Sequence, residues 1–589
     1  MDPPDDALAH RVESAVAEWV VPTARGAMVF RAKVMIHRTH RWIADVISGP
    51  RRWGKSDRCC NWAALAEHRT RLYGDERPQE ASYELGKIQN LRRAAALLDG
   101  VVIPAGQVFS FWKQIGRASR RRGFATGRML QQGCLVPSIG GGLCQLSNAL
   151  YSAALQAGCE IVERHAHSHI VAGSASAFGQ DATVAWNYVD LRFRSMTPMQ
   201  IEARLSRDDL IIGLRGPATA RSSAVGREIA PASPAVVRTC ATCGELSCFR
   251  HEARRPQGPN TGCTAYLVDE NWPEFREYVS QTQSVDDVFG RPIDGARWRL
   301  TRYDWSAGRF ARYGSSPLAA AARAIAVRRA SEGAPRREAE LAGTERIAAR
   351  LSRLLSSEVT RICVAQSLLP FLWRDGHLGG REVEVLATRL PTSELHRRLD
   401  RALAAHPERM TLGDFRAPQS LAEAEEEALA HAMRIITPHP EIARLFPEKA
   451  RLLNWHLPPK RQISRRPRPR RIVFPGPTVA RKGAYEVREA AKALGLEIAL
   501  LGPDLEGQGF WDGVAIERRD PQTDWLDDIA AVVQPALAEE RPRHLLAALA
   551  AGVPIVATTA CGLPAQEGVT IVPADNAPAL IAALKTSLG

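Results

Sequence analysis

From Arg471 onward, short apolar runs alternate with helical periods, a pattern that buries its apolar faces best as a parallel sheet covered by helices on both sides. RIVFPG reads as a strand, KGAYEVREAAKAL as a helix stopped by Gly495, and LEIALLG as a strand. RHLLAALAAG is a helix, PIVATT a strand, and NAPALIAALKTSL the closing helix. A shorter version of the pattern starts near residue 355, where RICVAQ and RIITPH are strands and LAEAEEEALAHAM a helix. The expected divisions are therefore a Rossmann-like half at 472–589 and a partial one at 355–460, too few residues for a complete domain. The Pro-rich basic stretch at 460–471 reads as a solvated linker between them. Residues 266–345, rich in Trp and Arg, have weak periodicity and read as an irregular connecting region.

The texture upstream is different. NLRRAAALLDG is an amphipathic helix, VVIPAGQVFSF a strand, turn and strand, and LCQLSNALYSAALQAG a helix that follows the glycine run Gly140 to Gly142. CEIVERHAHSHIV and VDLRFR read as strands, and MQIEARLSRDDLIIGLRG as a hairpin turning at Asp208–Asp209. These elements predict one α+β domain over residues 81–220. Residues 1–80 read as a helical, basic segment in which His37 and His40 form a surface pair.

Composition narrows the function classes. The net charge is +14, but 69 of the 78 basic residues are Arg and they are spread along all 589 positions. Clustering rather than total charge marks a phosphate footprint, so no nucleic-acid partner is expected. No apolar run reaches the ~20 residues that span a bilayer, so no integral membrane segment is expected. The acidic, amphipathic start, MDPPDDALAHRVESAVAEW, is the reverse of a secretory signal and leads to a cytoplasmic expectation.

Three places carry candidate chemistry. Cys144 follows three glycines at the first turn of a helix, where converging amides and the helix dipole favour a thiolate. His165, His167 and His169 alternate along the next strand and Asp181 follows, giving a nucleophile, base and carboxylate in chain order. The other reading makes Cys144 a small buried hydrophobe and the histidines polar residues of a solvated strand. The second place is CATCGELSCFRH, which presents Cys240, Cys243, Cys248 and His251 at chelating spacing with Cys263 nearby. Such a knuckle suits zinc, or an iron–sulfur cluster if Cys263 replaces the histidine, and a loop of reduced thiols is the remaining reading. In the third, Arg481 and Lys482 stand where a strand gives way to a helix, a common seat for an anion.

Two resemblances add to this reading. Residues 87–216 resemble the VanW family through NLRRAAALLDGVVIPAGQVFSF, GGGLCQLSNALY, IVERHAHS and GQDATV, which implies a cell-envelope context. Residues 355–589 resemble glycosyltransferases of the two-Rossmann GT-B architecture, closest to the retaining family-four type. FPGPTVARKGAYEVREAAKAL, LLGPDLEG and PALAEERPRHLLAALAAGVPIVATTACGLP carry that second resemblance. It implies a nucleotide-sugar donor held by Arg481 and Lys482, with Glu539 or Glu540 at the sugar and the following helix ending at Gly552. The chain departs from the pattern twice: the family's usual Arg is Pro477, and its second Glu is Ala547. The expectation is thus a multidomain fusion: an α+β VanW-like domain, a cysteine-rich metal knuckle at 238–265 and an α/β GT-B region. Its expected work is glycosyl transfer in envelope polysaccharide or cell-wall precursor metabolism. The alternatives are a scaffold that binds an envelope precursor through a degenerate transferase fold, and a Cys-His-Asp thiol enzyme in the VanW-like domain.

Overall fold

A computed structural model describes residues 21–56, 62–74, 77, 80–131, 133–166, 181–217, 238–240, 243–250, 262–305, 308–460, 463 and 467–588. The chain divides into two compact units. The first comprises residues 1–263 with 355–360 and 375–381, and the second comprises the remainder. Among the described residues no helix is long and apolar enough to cross a membrane.

The first unit begins with helix α1 (Ala24–Ser48). Strand β1 (Ala63–Arg71) pairs antiparallel with β9 (Asp209–Gly216), which forms a hairpin with β8 (Met199–Leu205). The turn closes through the Ser206 amide on the Asp209 carbonyl, as MQIEARLSRDDLIIGLRG predicts. β2 (Val102–Ile103) completes this four-stranded sheet on the other side of β8. β1 corrects the expectation of a purely helical 1–80: AALAEHRTR lies at the sheet edge, where an Ala-rich strand shows little alternation. Two three-stranded sheets accompany it. One orders β10 (Arg238–Thr239), β5 (Cys134–Ile139) and β4 (Thr126–Gln131); the other orders β3 (Val108–Ser110), β7 (Arg192–Arg194) and β6 (Glu160–Glu163). Helices α2 (Ala81–Leu98) and α3 (Leu143–Gln156) supply Ile88, Leu91, Leu146 and Leu150 to one continuous core.

Close backbone approach fixes where the glycine run goes. A Cβ on Gly86 of α2 would lie 1.9 Å from the Thr126 carbonyl oxygen, and one on Gly141 would lie 2.5 Å from the Arg128 nitrogen. Asn90, fully buried, donates to the Ala125 and Gly141 carbonyls and accepts from the Ala125 amide, so α2, β4 and the glycine loop are tied together.

The second unit holds two parallel sheets. The first orders β13 (Arg312–Ser315), β12 (Val288–Arg291), β11 (Cys263–Leu267), β14 (Val359–Ala365), β15 (Glu382–Leu386), β16 (Arg434–Thr437) and β17 (Ala450–Leu452). The second orders β20 (Ala515–Arg518), β19 (Glu497–Leu500), β18 (Arg471–Phe474), β21 (Ala531–Gln534), β22 (Ile555–Ala557) and β23 (Val569–Ile571). Counted from its own first strand, the second follows the doubly wound order 3-2-1-4-5-6, and the first follows the same order with a seventh strand added at its end. The stretch 266–345 is therefore not an irregular connector: it supplies β12, β13 and the end of β11 to the first sheet. Its strands are only four or five residues long and pack aromatics such as Tyr266, Phe289 and Trp305, so no long apolar period marks them. At the far end of the basic stretch, Arg471 is not solvated: it opens β18 and pairs with Asp528 at 2.7 Å and Glu517 at 3.0 Å.

Candidate functional site

In the second sheet the strand order reverses between β18 and β21. Connections leave these neighbours in opposite directions and open a crevice at their carboxyl ends, the place where such sheets bind ligands. Both charged groups expected from the sequence fall there. After β18 the chain makes a short turn at Ala480–Lys482, and α4 (Ala484–Leu494) starts behind Gly483. Gly483 has φ +86°, and a Cβ on it would lie 2.5 Å from the Pro535 carbonyl oxygen, so only glycine brings the turn this close to β21.

Lys482 Nζ donates to the Ala538 carbonyl at 3.1 Å and to Glu539 Oε2 at 2.8 Å, with both side chains 10% exposed. Glu539 Oε1 accepts the Arg541 amide at 2.8 Å, and Gln534 also donates to Oε2. Burial pushes the Glu539 carboxyl up, but Lys482, the Arg541 amide and the charge of Arg481 outweigh it and hold the group below the ordinary carboxylate value. An ionised carboxylate and an ammonium thus stand side by side at the switch point. Arg481 sits 4.5 Å from the centroid of Phe415, and Arg337 lies 4.7 Å over the same ring. Burial lowers the Arg481 pKa, opposed by Glu540 and Glu539, which places Glu540 in its field. Gly552 caps the C-terminus of α5 (Arg543–Ala551) at φ +75°, about 13 Å from the helix start by the helical rise.

The first half contributes further residues, of which the sequence marks only His439, in TPH, as either a cleft-lining group or turn chemistry. His439 bonds the Ala560 carbonyl at 3.2 Å through Nε2, and its buried Nδ1 has no hydrogen-bond partner among the described residues. Burial lowers its pKa and keeps the ring neutral. Arg398 pairs with Glu441 at 3.1 Å and donates to the Leu537 carbonyl at 3.4 Å. Arg389, Glu425 and Gln366 form a buried network, with Arg389 3.2 Å from Glu425 and raised in pKa as the charges of Glu425 and Glu540 outweigh its burial. These come from distant segments, and only the doubly wound topology brings them together.

In the first unit, Cys144 is the second residue of α3, behind Gly142 at φ +92°. Its Sγ lies 3.6 Å from Thr183 Oγ1 and 3.8 Å from the Val184 carbonyl. The Gly140 and Gly141 amides are spent on the Ala125 and Ser138 carbonyls, so those two do not present an oxyanion hole. His165 bonds Glu163 at 3.3 Å rather than the thiol. Asp181 is buried, and its backbone carbonyl accepts from Arg164. His167 and His169 lie outside the described residues.

The cysteine knuckle gains no support. Among the described residues no group of three or more His, Cys, Asp or Glu side chains is placed to hold a metal, which leaves zinc and an iron–sulfur cluster without support. The tight turn at Gly244 is present, with φ +68°. Burial, reinforced by Cys134, Cys243 and Cys248, pushes the Cys240 thiol up to about 11, and Cys263 opens a strand with its amide on the Glu358 carbonyl. His251 lies outside the described residues.

Comparison with known proteins agrees with the two-part organisation. The family described as VanW-like protein matches residues 86–215, and the group 1 glycosyl transferases match residues 497–589. Over 127 residues the chain is 33% identical to the uncharacterized protein YoaR of Bacillus subtilis, covering 21% of this chain and 41% of that one. Over 141 residues it is 30% identical to the vancomycin B-type resistance protein VanW of Enterococcus faecalis, covering 23% and 51%. The chain thus spans about half or less of the length of these relatives. Among solved structures it is similar to a sucrose-phosphate synthase from Thermosynechococcus elongatus, at 14% identity over 55% of this chain and 90% of that one, with a TM-score of 0.35. It is similar also to the lipopolysaccharide outer core galactosyltransferase WaaB, at 10% identity over 55% and 90%, with a TM-score of 0.32. The chain carries a VanW-like domain fused to a GT-B-like glycosyltransferase region.

Proposed function

We propose that the second unit transfers a glycosyl group from a nucleoside-diphosphate sugar, in the building of an envelope polysaccharide or cell-wall precursor. The observation that carries this reading is the Lys482–Glu539 pair at the switch point of a doubly wound sheet, with Arg481 beside it. Lys482 and Arg481 meet the diphosphate and Glu539 the donor sugar. With proline at 477, Arg481 supplies the cation that the family pattern places there. Ala547 lies on α5, partly buried against the apolar core, and offers the ribose hydroxyls no carboxylate. Titration calorimetry of the full chain with uridine, guanosine and adenosine diphosphates tests the reading. Removing one charge-assisted contact in Arg481→Ala is expected to weaken the preferred nucleotide about tenfold to a hundredfold. No affinity for any of the three in the wild type would leave the fold as a scaffold.

In the VanW-like unit the proposal is precursor binding rather than thiol catalysis. Thr183 and the Val184 carbonyl hold the Cys144 sulfur, while Glu163 holds His165. Cys144 is therefore expected to resist iodoacetamide in the native protein at mildly acidic pH and to react once the chain unfolds. Selective labelling of Cys144 ahead of the other cysteines would restore the nucleophile reading.

A further inference from the structure

Helix α1 is anchored to its unit by polar contacts and leaves large apolar side chains in solvent. Ala27, Val34, Arg38, Arg41 and Asp45 recur at helical spacing and form the face turned to its own unit. Arg38 donates to the Trp186 carbonyl at 3.0 Å, Arg41 pairs with Glu163 at 2.8 Å, and Asp45 accepts from Arg192 at 2.8 Å. The solvent side carries Met28, Met35, Ile36, Trp42, Val46 and Ile47, each 62–79% exposed. A stripe of that size on one helix is rarely left in water.

Its flanks indicate what covers it. Arg25, Arg31 and Lys33 are exposed along the helix, and its one acidic residue, Asp45, is engaged with Arg192. A second copy packed on this face would bring these cations against their own counterparts with no carboxylate of the helix to match them. An anionic lipid surface matches both features, since acyl chains take the apolar stripe and headgroups take the cations. Trp42 suits the boundary, with an apolar ring and an N–H for the wet side. We propose that α1 is a membrane-surface helix that seats the protein on an anionic bilayer without crossing it.

Co-sedimentation of the full chain with vesicles tests this. Binding is expected to vesicles of equal parts phosphatidylglycerol and phosphatidylcholine, to weaken with salt, and to be far poorer on phosphatidylcholine alone. Arg31→Gln and Lys33→Gln should each weaken binding about fivefold. Met35→Glu with Ile36→Glu should abolish it while leaving the melting temperature unchanged, because both side chains point away from the unit. Failure of the wild type to pellet with anionic vesicles would overturn the proposal. So would a dimer, seen by ultracentrifugation, that those two glutamates dissociate and that ignores vesicles. Vesicle binding that appears only after residues 1–20 are removed would assign the face to that segment instead.

Discussion

Replacing Arg381 with methionine is expected to cost the first unit about 4 kcal/mol or more, a large part of the ~5–15 kcal/mol that holds a domain folded. The side chain is 2% exposed, and its guanidinium donates to four backbone carbonyls: Val359 at 2.7 Å, Ser356 at 2.8 Å, Leu355 at 3.2 Å and His377. Methionine fills similar volume and leaves all four oxygens unpaired in a dry site. Arg381→Lys should recover only part of the loss, because a single ammonium cannot reach four acceptors spread across a planar fork. Urea unfolding followed by circular dichroism and tryptophan emission reads the effect as an earlier first transition. A shift of less than 1 kcal/mol would mean that water enters and hydrates the carbonyls.

The second large effect is expected at the switch point. Lys482→Met leaves the Glu539 carboxylate buried without its cation and should destabilise the second unit by about 3–5 kcal/mol. The double variant Lys482→Met with Glu539→Gln should regain most of that, since no buried charge remains. The pH dependence has a defined sign. Glu539 titrates below its ordinary value in the folded chain, so its contribution is complete above the unfolded value near ~4.3 and disappears as pH falls through the folded one. In Lys482→Met that loss should begin at higher pH, because burial is then opposed by fewer charges. Urea midpoints measured from pH 7 downward on the wild type and both variants separate the three curves, and coincident curves would show that the ammonium does not hold the carboxylate.

What the amino-acid sequence reveals here depends on where a strand sits. β18, β19, β21 and β22 are apolar along nearly their whole length because both faces of a central parallel strand are covered, and RIVF and PIVATT announce that directly. The part of the first parallel sheet between 264 and 354 is obscured because its strands are short and their burial rests on aromatics separated by arginines. Lys482 and Glu539 are legible as a strand-to-helix cation and a loop acid, but their 2.8 Å pairing is not, since 57 residues separate them. Gly379 and Gly380 read in sequence either as cleft-lining residues or as turn chemistry. In the structure they accept from Arg92 and Tyr73, and the Gly380 amide donates to Ser206, all within the first unit. The cysteine spacing shows the limit of a local motif: C-x2-C gives a turn, but whether thiols converge depends on what the next strands do with Cys240 and Cys263.

The division of the chain between its units bears on how it is made. The first unit borrows residues 355–360 and 375–381 from a stretch that otherwise builds the second. During synthesis, which proceeds from the N-terminus, some hundred residues of the second unit emerge before the last piece of the first. The earlier unit therefore waits for Arg381 and the glycines before it, with Arg92 and Ser206 lacking their final partners until then. A ribosome stalled near residue 300 would display a VanW-like segment that is complete in its family motifs and still unfinished as a folded body. The two parts are thus joined by shared assembly: a single cut between residues 263 and 264 would leave the first unit without residues 355–360 and 375–381.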